Sequence, residues 1–581
     1  MANPDAIEPD ARVERQRREV VAGATALTLT AGVAAALARR PESTAGPLQT
    51  REPATVDPGG LTGDVPAVTG DDPAGTGAST TTTGGEPGGP AAAAGPAPNA
   101  TPEPGPGRST GAPALTAAER RLHVVQRITY GATPALLAEV EAQGVERYVA
   151  QQLDPATVDD SRADAMVRSL STLRGSAADL DDAENGLLGL RPKGQALHEL
   201  RLAALIRAVH SRRQLFEVMV AFWSDHLNVW PHKDRELPYE KLVEDREVIR
   251  PHALGRYADL LQASAASPAM LRYLDNRSSR RQHPNENYAR ELLELHTVGP
   301  DTHSEDDVMA AARVFTGWTI DDRHRFRFDP QRHDDGPAEV LGWSTPGRST
   351  GGAVGDGRSL LDHLAHHPAT ARTIATKLAR RFVADDPPAS LIDALARTYL
   401  ANDTQIRPVL AHLLSSDEFL AARRGKYRRP FEFVAALLRT LDAGIDTSDP
   451  ATARAVNHWL RSLGQLPFDW PSPDGYPDES GSWLSGGDVV GRWSTASVVS
   501  QGRLGGITVD LDRLVHPDAA STAAELADRV VSLLPDATAG LRDTLLLAAD
   551  VDAGAAADEV VRRSLPVMVA VAVASKGMQW R

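Results

Sequence analysis

Residues 284–299 of this chain read PNENYARELLELHTVG, and their pattern predicts a short helix with two unlike faces. At about 100° per residue, the tyrosine, alanine and leucine side chains share one face. The glutamates, Asn287 and Arg290 occupy the other face. His296 departs from this division because it falls within the apolar stripe. The helix therefore combines a buried imidazole with a dense array of charges, which indicates either a structural network or a working site.

The polar face of this helix supplies the candidate network or substrate-binding residues. They are Asn285, Glu286, Asn287, Arg290, Glu291 and Glu294. Exposed charge pairs spaced four residues apart stabilise a helix by only about 0.2–0.5 kcal/mol each. If a second helix covers this face, one arginine cannot neutralise three glutamates, and Arg313 in the helix predicted over 304–318 is a candidate additional partner. The face is either a network that fixes helix register or a site for a ligand or metal.

A second histidine is expected to point into the protein interior. The helix predicted over 215–230 has an apolar stripe, and His226 lies on it. A buried histidine must find a hydrogen-bond partner or lose its charge, and its pKa then shifts readily around neutrality. His226 and His296 are therefore candidates for acid–base catalysis, with Glu291 or Glu294 as the paired carboxylate. Alternatively, the two histidines could be metal ligands, with a carboxylate as a further ligand. A third interpretation is that they are core histidines hydrogen-bonded to backbone carbonyls.

Two predicted loops hold further candidates. His333 and Asp334 stand where an imidazole and a carboxylate can reach a cation, so they are candidate metal ligands, and a solvated turn is the alternative. Trp470 and Tyr476 belong to an aromatic and acidic loop over 468–477. Exposed rings beside aspartates suit the flat faces of sugars, but such loops also pack over helical cores.

The composition limits the chemistry that the chain can perform. It has 581 residues, 41% of them hydrophobic, which is enough for a large core. A formal net charge of −15 argues against nucleic acid or an anionic membrane surface as the main partner. The chain has no cysteine, which excludes disulfides, thiolate catalysis and Cys-ligated metal sites. No nucleotide-binding motif occurs, and no cofactor can be assigned.

The chain is predicted to have three parts. In residues 1–40, Arg17 and Arg18 precede a mildly apolar run, which predicts a twin-arginine-type targeting segment or an anchor. Residues 41–114 are rich in glycine, proline, threonine and alanine without a hydrophobic period, which predicts a disordered linker. Residues 115–581 are expected to form one large, mainly α-helical domain. This arrangement favours a protein outside the cytoplasm, secreted or tethered to the cell envelope, with membrane contact only through the N-terminal segment.

Helix-start patterns dominate the predicted domain, and only one place reads as sheet. Thr116 followed by Glu119 is a capping-box pattern, and Thr133 before Pro134 places a cap before a first-turn proline. Residues 324–328 alternate polar and aromatic side chains, and residues 339–341 are expected to return as their hairpin partner. The fold class is therefore predicted to be mainly α, with one small β-hairpin.

Several blocks, taken in chain order, resemble a bacterial family catalogued as domain of unknown function 1800. The blocks are FWSDHL at 222–227, ALGRY at 253–257, SPAMLRYLD at 267–275, NENYAREL at 285–292, TGW at 316–318, HPATA at 367–371 and GYP at 475–477. The resemblance covers the chain from about residue 115 to its C-terminus. Its most specific part is the block at 285–292, because so polar a run rarely arises twice by chance.

The resemblance implies an exported and predominantly helical protein. Members of the family are often encoded beside a second exported family that looks like the alkaline-phosphatase/sulfatase group, so such a protein is an expected partner. The resemblance implies no reaction. This chain has His303 and Ser304 where the family usually has Tyr-Thr before a helix, although Ser304 can still cap that helix.

The buried histidines beside clustered acids favour one function over its alternative. The favoured function is an envelope hydrolase or lyase that acts on a polymeric or glycan-like substrate. The alternative is a non-catalytic binding or assembly protein of the envelope, in which the acidic helix is a structural network. Convergence of His226, His296 and a glutamate on an open cleft would favour the enzyme.

Overall fold

The computed structural model describes residues 115–185, 194–347 and 353–581. The predicted targeting segment and the predicted linker lie outside these residues. The described part of the chain is mainly helical with only small antiparallel strand pairs, which confirms the predicted fold class. Within these ranges, no helix combines the length and apolar character that crossing a bilayer requires.

The helices before the first strand lead from the N-terminal part of the domain to the acidic helix. They are α1 Ala117–Ile128, α2 Pro134–Gln143, α3 Val145–Leu153, α4 Ser161–Ser169, α5 Ala177–Asn185, α6 Gln195–His210, α7 Gln214–His226, α8 Leu237–Glu244, α9 Arg250–His252, α10 Tyr257–Ala265, α11 Pro268–Tyr273, α12 Glu286–Glu291 and α13 Glu305–Val314. Two π-helical turns, Asp245–Ile249 and Leu292–His296, continue α8 and α12.

Four short strands follow α13, and two more lie among the remaining helices. The strands are β1 Trp318–Ile320, β2 Phe326–Phe328, β3 Ala338–Val340, β4 Trp343–Thr345, β5 Gly444–Ile445 and β6 Ile507–Thr508. The helices are α14 Ala353–His366, α15 Pro368–Phe382, α16 Ala389–Ala401, α17 Ile406–Ser415, α18 Asp417–Ala421, α19 Pro430–Thr440, α20 Pro450–Ser462, α21 Gly486–Ser500, α22 Leu511–Val515, α23 Ala523–Ser532, α24 Leu541–Ala549, α25 Glu559–Arg562, α26 Leu565–Val573 and α27 Lys576–Gln579.

A hydrophobic cluster extends through this helical body from Val124 in α1 to Met578 in α27. The pair α15 and α16 packs side by side, as do α12 with α13 and α21 with α26. The buried stripe of each amphipathic helix faces this cluster, because removing apolar surface from water is the main favourable term in folding. The arrangement brings the end of α7, the π-helical turn after α12 and an inner turn of α15 together in the interior.

Local sequence patterns predicted several helix ends correctly. Thr116 and Ser304 each form a complete capping box at the starts of α1 and α13. Thr133 caps α2, whose first residue is Pro134. The side chain of His367 accepts a hydrogen bond from the backbone at the start of α15. These ends are predictable because each cap satisfies backbone N–H groups within the same few residues.

Three predicted helices are shorter than their patterns indicated. The helix predicted over 215–230 ends at His226, and the one predicted over 304–318 ends at Val314. The helix predicted over 284–298 changes from α to π geometry at Leu292. The hydroxyl of Thr297 donates to the carbonyl of Leu292 at 2.6 Å, which satisfies an acceptor that the wider turn leaves open.

The predicted strand pairing was wrong. The strand at 326–328 pairs with β1, and the strand at 338–340 pairs with β4, so each belongs to a different hairpin. The turn of the first hairpin is short because Asp321 accepts backbone hydrogen bonds from Arg323 and Arg325 and His324 adopts a positive φ of 55°. A five-residue connection closes at a lower entropic cost than the longer one that the prediction required.

Candidate functional site

The two histidines predicted to be buried lie close together in the interior. His226 is the last residue of α7, and His296 ends the π-helical turn after α12. Their ring centroids are 6.1 Å apart, and their exposed fractions are 3% and 1%. The rings of Trp223 and Phe222 flank His226, with centroids 5.5 and 6.4 Å away. The convergence of imidazoles expected from two separate helices is present.

Tyr257, the first residue of α10, determines which nitrogen of His226 carries the hydrogen. Its hydroxyl donates its only hydrogen to the main-chain carbonyl of His296. The same oxygen lies 2.9 Å from His226 Nε2, so it must accept a hydrogen from that nitrogen. A neutral imidazole carries one N–H, and we therefore assign His226 the Nε2–H tautomer with a lone pair at Nδ1.

Lys377 binds to that lone pair from a third helix, α15. Its Nζ lies 2.9 Å from His226 Nδ1 and 3.3 Å from the carbonyl oxygen of Leu295. Both partners are acceptors, so the amine donates both hydrogen bonds. An unprotonated amine has two hydrogens, which these acceptors use completely, and its lone pair remains available in another direction.

Burial favours the neutral forms of these three nitrogen bases. It lowers the pKa of His296 to about 3, and the charge of Lys377 is the second cause. Burial, followed by the charge of Lys377, also holds the pKa of His226 well below its usual value. The pKa of Lys377 falls to about 8 because of burial and the neighbouring Arg380. The centre thus combines a lysine that titrates near neutrality with two imidazoles that stay uncharged.

A cavity of about 360 Å³ is lined by His226, Leu295 and Lys377. This volume is within the range of small-molecule sites. The rest of its wall combines aromatic rings with charges of both signs. These residues are Phe222, Trp470, Tyr476, Arg380, Arg381, Arg429, Asp225, Asp474, Asp478 and Glu479. A ligand in this cavity would contact the lysine amine directly.

The loop over 468–477 contributes the aromatic wall of the cavity. The rings of Trp470 and Tyr476 have centroids 5.1 Å apart, and both side chains are half-buried. Trp470 Nε1 donates to Asp474 at 2.8 Å, and the Tyr476 hydroxyl donates to a main-chain carbonyl at 2.9 Å. These bonds hold both rings in place at the cavity wall; sugar contacts and packing over the core were the two alternatives for this loop.

The two glutamates expected to act with the histidines lie beside the centre. Among the described residues, no hydrogen bond joins Glu291 or Glu294 to either imidazole. Burial raises the pKa of Glu291, as do the nearby charges of Glu294 and Asp474. Glu294 lies 3.8 Å from Arg290 and 3.8 Å from His303. The ionisable partners that hydrogen-bond to His226 are therefore Lys377 and Tyr257.

The other polar residues of the acidic helix form a network at the surface. Arg290 lies 3.2 Å from Glu286 and binds both carboxylate oxygens of Glu305, each at 2.7 Å. Asn285 caps α12 by accepting a hydrogen bond from the backbone N–H of Asn287, whose side chain is exposed. The network joins α12 to α13. Its additional member is Glu305, an acid, and not the second arginine that was expected.

The candidates for extending that network or for binding a metal make their contacts in another part of the structure. They are Arg313, His333 and Asp334. Arg313 donates to Asp334 at 3.0 Å and to the carbonyl of Pro337 at 3.1 Å, so it does not reach the acidic helix. The Nδ1 of the buried His333 lies 2.8 Å from the carbonyl oxygen of Thr316. These contacts hold the loop between β2 and β3 and occupy the side chains that were candidates for metal binding.

A different cluster in the described part of the chain has the spacing of metal ligands. Oxygen and nitrogen atoms of Glu236, Glu240 and His324 lie within 4.8 Å of one another. Arg272 already binds two of these side chains, with its Nε 2.8 Å from Glu240 and its NH1 2.5 Å from Glu236. His324 Nδ1 lies 2.9 Å from Glu240. A guanidinium therefore supplies the positive charge that a metal ion would bring, and the cluster holds α8, α11 and the β1–β2 turn together.

The sequence-based interpretation missed Lys377 and Tyr257. Both lie within regular patterns, Tyr257 in the block at 253–257 and Lys377 in a helix predicted over 369–383, and neither position is unusual by periodicity. One indication was available. The chain has 62 lysine and arginine residues, and only six of them are lysine. Arginine cannot lose its proton near neutral pH, so a lysine in such a chain marks a position where titration could matter.

The neutral state of His296 predicts a loss of stability in acid. The pKa of this histidine is about 3 in the folded protein and 6.5 when unperturbed, so the unfolded state binds more protons between these values. Stability should therefore fall as the pH decreases from about 6.5 towards about 3. We expect His296→Gln to lose less free energy of unfolding than the wild type between about pH 7 and about pH 5, measured by urea denaturation.

His366→Gln is the matched control for this prediction. His366 is partly exposed, and its pKa is raised, because hydrogen bonds to Asp403 and Asp362 outweigh its burial. A raised pKa stabilises the folded state in acid, so His366→Gln should shift the acid sensitivity in the opposite direction. Equal acid sensitivity of the wild type and His296→Gln would contradict the neutral assignment of His296.

Comparison with known proteins gives one match over most of the chain. The family model described as "Protein of unknown function (DUF1800)" matches residues 123–580. No curated protein and no solved structure matches the chain. The matched range includes all residues of the histidine–lysine centre and of the cavity wall.

Proposed function

This chain belongs to the DUF1800 family, as its sequence blocks predicted, and we propose that it is a hydrolase or lyase that cleaves a glycan-like polymer. In this proposal the amine of Lys377 is the general base, and His226 and Tyr257 position it. The observation that carries the proposal is the hydrogen bond from this amine to an imidazole lone pair at the wall of an open cavity.

The lowered pKa gives Lys377 the protonation state that a base needs. With a pKa of about 8, roughly 10% of the lysine is free amine at pH 7, against roughly 0.03% at the usual value of 10.5. The free amine takes a proton from water in a hydrolase, or from a carbon–hydrogen bond in a lyase. The resulting ammonium keeps its hydrogen bonds to His226 Nδ1 and the carbonyl of Leu295.

His226 acts in this proposal as a positioning residue. Its Nε2 hydrogen is bound by Tyr257, and its Nδ1 lone pair is bound by Lys377, so neither nitrogen is free to exchange a proton with a ligand. Its low pKa, caused first by burial, keeps it an acceptor across the physiological range. The imidazole therefore fixes the direction of the lysine amine.

The residues of the cavity wall support the proposal that the substrate is glycan-like. Trp470 and Tyr476 offer ring faces, and the exposed carboxylate of Asp474 can accept hydrogen bonds from hydroxyl groups. Rigid aromatic rings beside a few fixed polar groups are typical of small-molecule sites. The same residues were the sugar-binding candidates of the sequence.

The test is cleavage of a panel of soluble acidic and neutral polysaccharides by the full chain. New reducing ends measure hydrolysis, and absorbance of a new carbon–carbon double bond measures elimination. We expect one of these products from at least one polymer. Its rate should rise with pH and reach half its maximum near pH 8, because the free amine is the active form.

Two results of this panel would contradict the proposal. A rate independent of pH between about 6 and about 9 would exclude a lysine base with this pKa. Polymer binding without product in any arm would overturn the enzyme and favour the alternative, a binding or assembly protein of the envelope.

We also propose that the protein works outside the cytoplasm, secreted or tethered to the envelope. The arginine-led N-terminal segment and the negative net charge support this setting, and the latter argues against nucleic acid as a partner. An alkaline-phosphatase/sulfatase-like protein remains the proposed partner. Export of a reporter fused to residues 1–114 would test the setting, and retention in the cytoplasm would contradict it.

A further inference from the structure

The side of α15 that faces the cavity is a row of three cations. Lys377, Arg380 and Arg381 are spaced three and four residues apart, so they share one face of the helix. All three line the cavity. Like charges at this spacing repel one another, so the arrangement needs an acidic partner.

Arg381 has hydrogen-bonding capacity that the protein leaves unused. Its NH1 donates to Glu432 and, at 3.2 Å, to Asp478. Its Nε and NH2 have no partner among the described residues, although only 1% of the residue is exposed. Most buried donors in folded proteins are paired, so this guanidinium has donor capacity that its protein partners do not use, although Nε and NH2 are themselves closed to solvent.

Two other buried arginines of the described residues also lack a carboxylate partner. Arg127 and Arg428 are buried, and within the described ranges their guanidinium groups donate to main-chain carbonyls and contact no carboxylate. Burial, followed by the charge of nearby Arg581, lowers the pKa of Arg127 to about 9 and that of Arg428 to about 10.

The acids of the cavity wall already have partners. Asp225 accepts a hydrogen bond from Arg429 at 2.8 Å, and Glu479 lies 2.9 Å from Arg380. The pair of Arg380 and Glu479 is open to solvent, with 36% and 43% of the two side chains exposed. Such a pair is weak, so an anionic ligand could replace Glu479 on Arg380.

We infer that the cavity binds an anionic group of its substrate against Arg380 and Arg381, beside Lys377, and that the substrate is an acidic glycan with carboxylate or sulfate groups. That the substrate is a glycan rests on the proposed function, whereas its anionic group is inferred from the basic residues of the cavity wall alone. Carboxylate and sulfate groups can both accept paired hydrogen bonds from a guanidinium. The anionic group of the substrate would lie beside the Lys377 amine. It would therefore be close to the water molecule or substrate carbon from which this amine takes a proton.

Binding of three short probes to the full-length protein tests this inference by calorimetry. The probes are trigalacturonate, neutral cellotriose and inorganic sulfate. Short probes are used because they confine the contacts to the cavity, so that their binding reports on the residues of its wall. We expect trigalacturonate to bind at least about tenfold more tightly than cellotriose, and Arg380→Gln to remove most of that difference.

Arg372→Gln is the matched control, because Arg372 lies on the same helix but pairs with Asp393 and does not line the cavity. It should leave the selectivity unchanged. Arg381→Gln would give the same answer as Arg380→Gln, but it also removes a partner of buried Glu432, so the exposed Arg380 is the decisive position.

The outcomes separate this inference from the proposed function. Equal affinity for trigalacturonate and cellotriose, or equal effects of the two variants at Arg372 and Arg380, would overturn the anion site even if Lys377-dependent cleavage of a neutral polymer is observed. Selective binding of trigalacturonate without cleavage would support the anion site and overturn the enzyme. If inorganic sulfate competed as strongly as trigalacturonate, the cavity would be a site for small oxyanions. This result would overturn the inference that the substrate is a glycan.

Discussion

Replacing Glu432 by glutamine is expected to lower the free energy of unfolding by about 3–5 kcal/mol. Glu432 is 2% exposed and accepts hydrogen bonds from Arg381 and Arg429, and Arg581 lies 3.5 Å away. Glutamine keeps the shape of the side chain but removes the charge that these three buried guanidinium groups share. Burial alone would raise the pKa of Glu432, but the charges of Arg381, Arg581 and Arg429 outweigh it and hold the pKa well below its usual value.

Urea denaturation at neutral pH measures this loss, and Glu305→Gln is the matched control. Glu305 also binds an arginine through both carboxylate oxygens, since Arg290 donates to each of them at 2.7 Å, but 74% of its side chain is exposed. Its replacement should cost at most about 1 kcal/mol, because water screens and replaces the lost contact. If both variants lose the same free energy, burial is not the reason that Glu432 matters.

Lys377→Met is expected to reduce the cleavage rate by about 10²–10⁴-fold, the usual contribution of a general base. Methionine fills much of the same space but offers no basic nitrogen. The fold should remain at least as stable as that of the wild type, because burial disfavours the ammonium form and its removal relieves that cost. Activity is measured with the polymer that gives product in the cleavage panel, and stability by urea denaturation.

Two further variants separate the base from a simple positive charge. Lys377→Arg keeps the charge but cannot give up its proton near neutrality, so it should be as inactive as Lys377→Met. Lys233→Met is the control, because Lys233 pairs with Asp275 at 2.7 Å and does not line the cavity. If Lys377→Arg retained the wild-type kcat and changed only KM, the residue would bind the substrate and another group would be the base.

The helical class and several helix ends followed directly from short stretches of sequence. Thr116, Thr133 and Ser304 cap their own helices within three residues, so no distant contact is needed to predict them. The pairing of the strand at 326–328 could not be predicted from the residues of that strand alone. Its partner is chosen by how the turn around His324 closes, and alternation of polar and aromatic residues does not contain that information.

The same division holds for the candidate site. The burial of His226 and His296 could be predicted because helical periodicity places each on an apolar stripe. Their neighbour could not be predicted, because Lys377 lies 151 residues after His226 along the chain. Clustered acids beside a predicted histidine suggested a glutamate, yet within the described residues no hydrogen bond joins Glu291 or Glu294 to either imidazole.

Periodicity, capping and composition act over one or two turns of chain, and they were sufficient to establish a helical domain, two inward-facing imidazoles and the absence of thiol chemistry. Only the packing of α7, α10 and α15 decided that Tyr257 sets the tautomer of His226, that Lys377 completes the centre and that basic residues of α15 line the cavity. The physical reason is that pKa shifts and hydrogen-bond satisfaction depend on burial and on partners from other helices, and these exist only after the chain has folded.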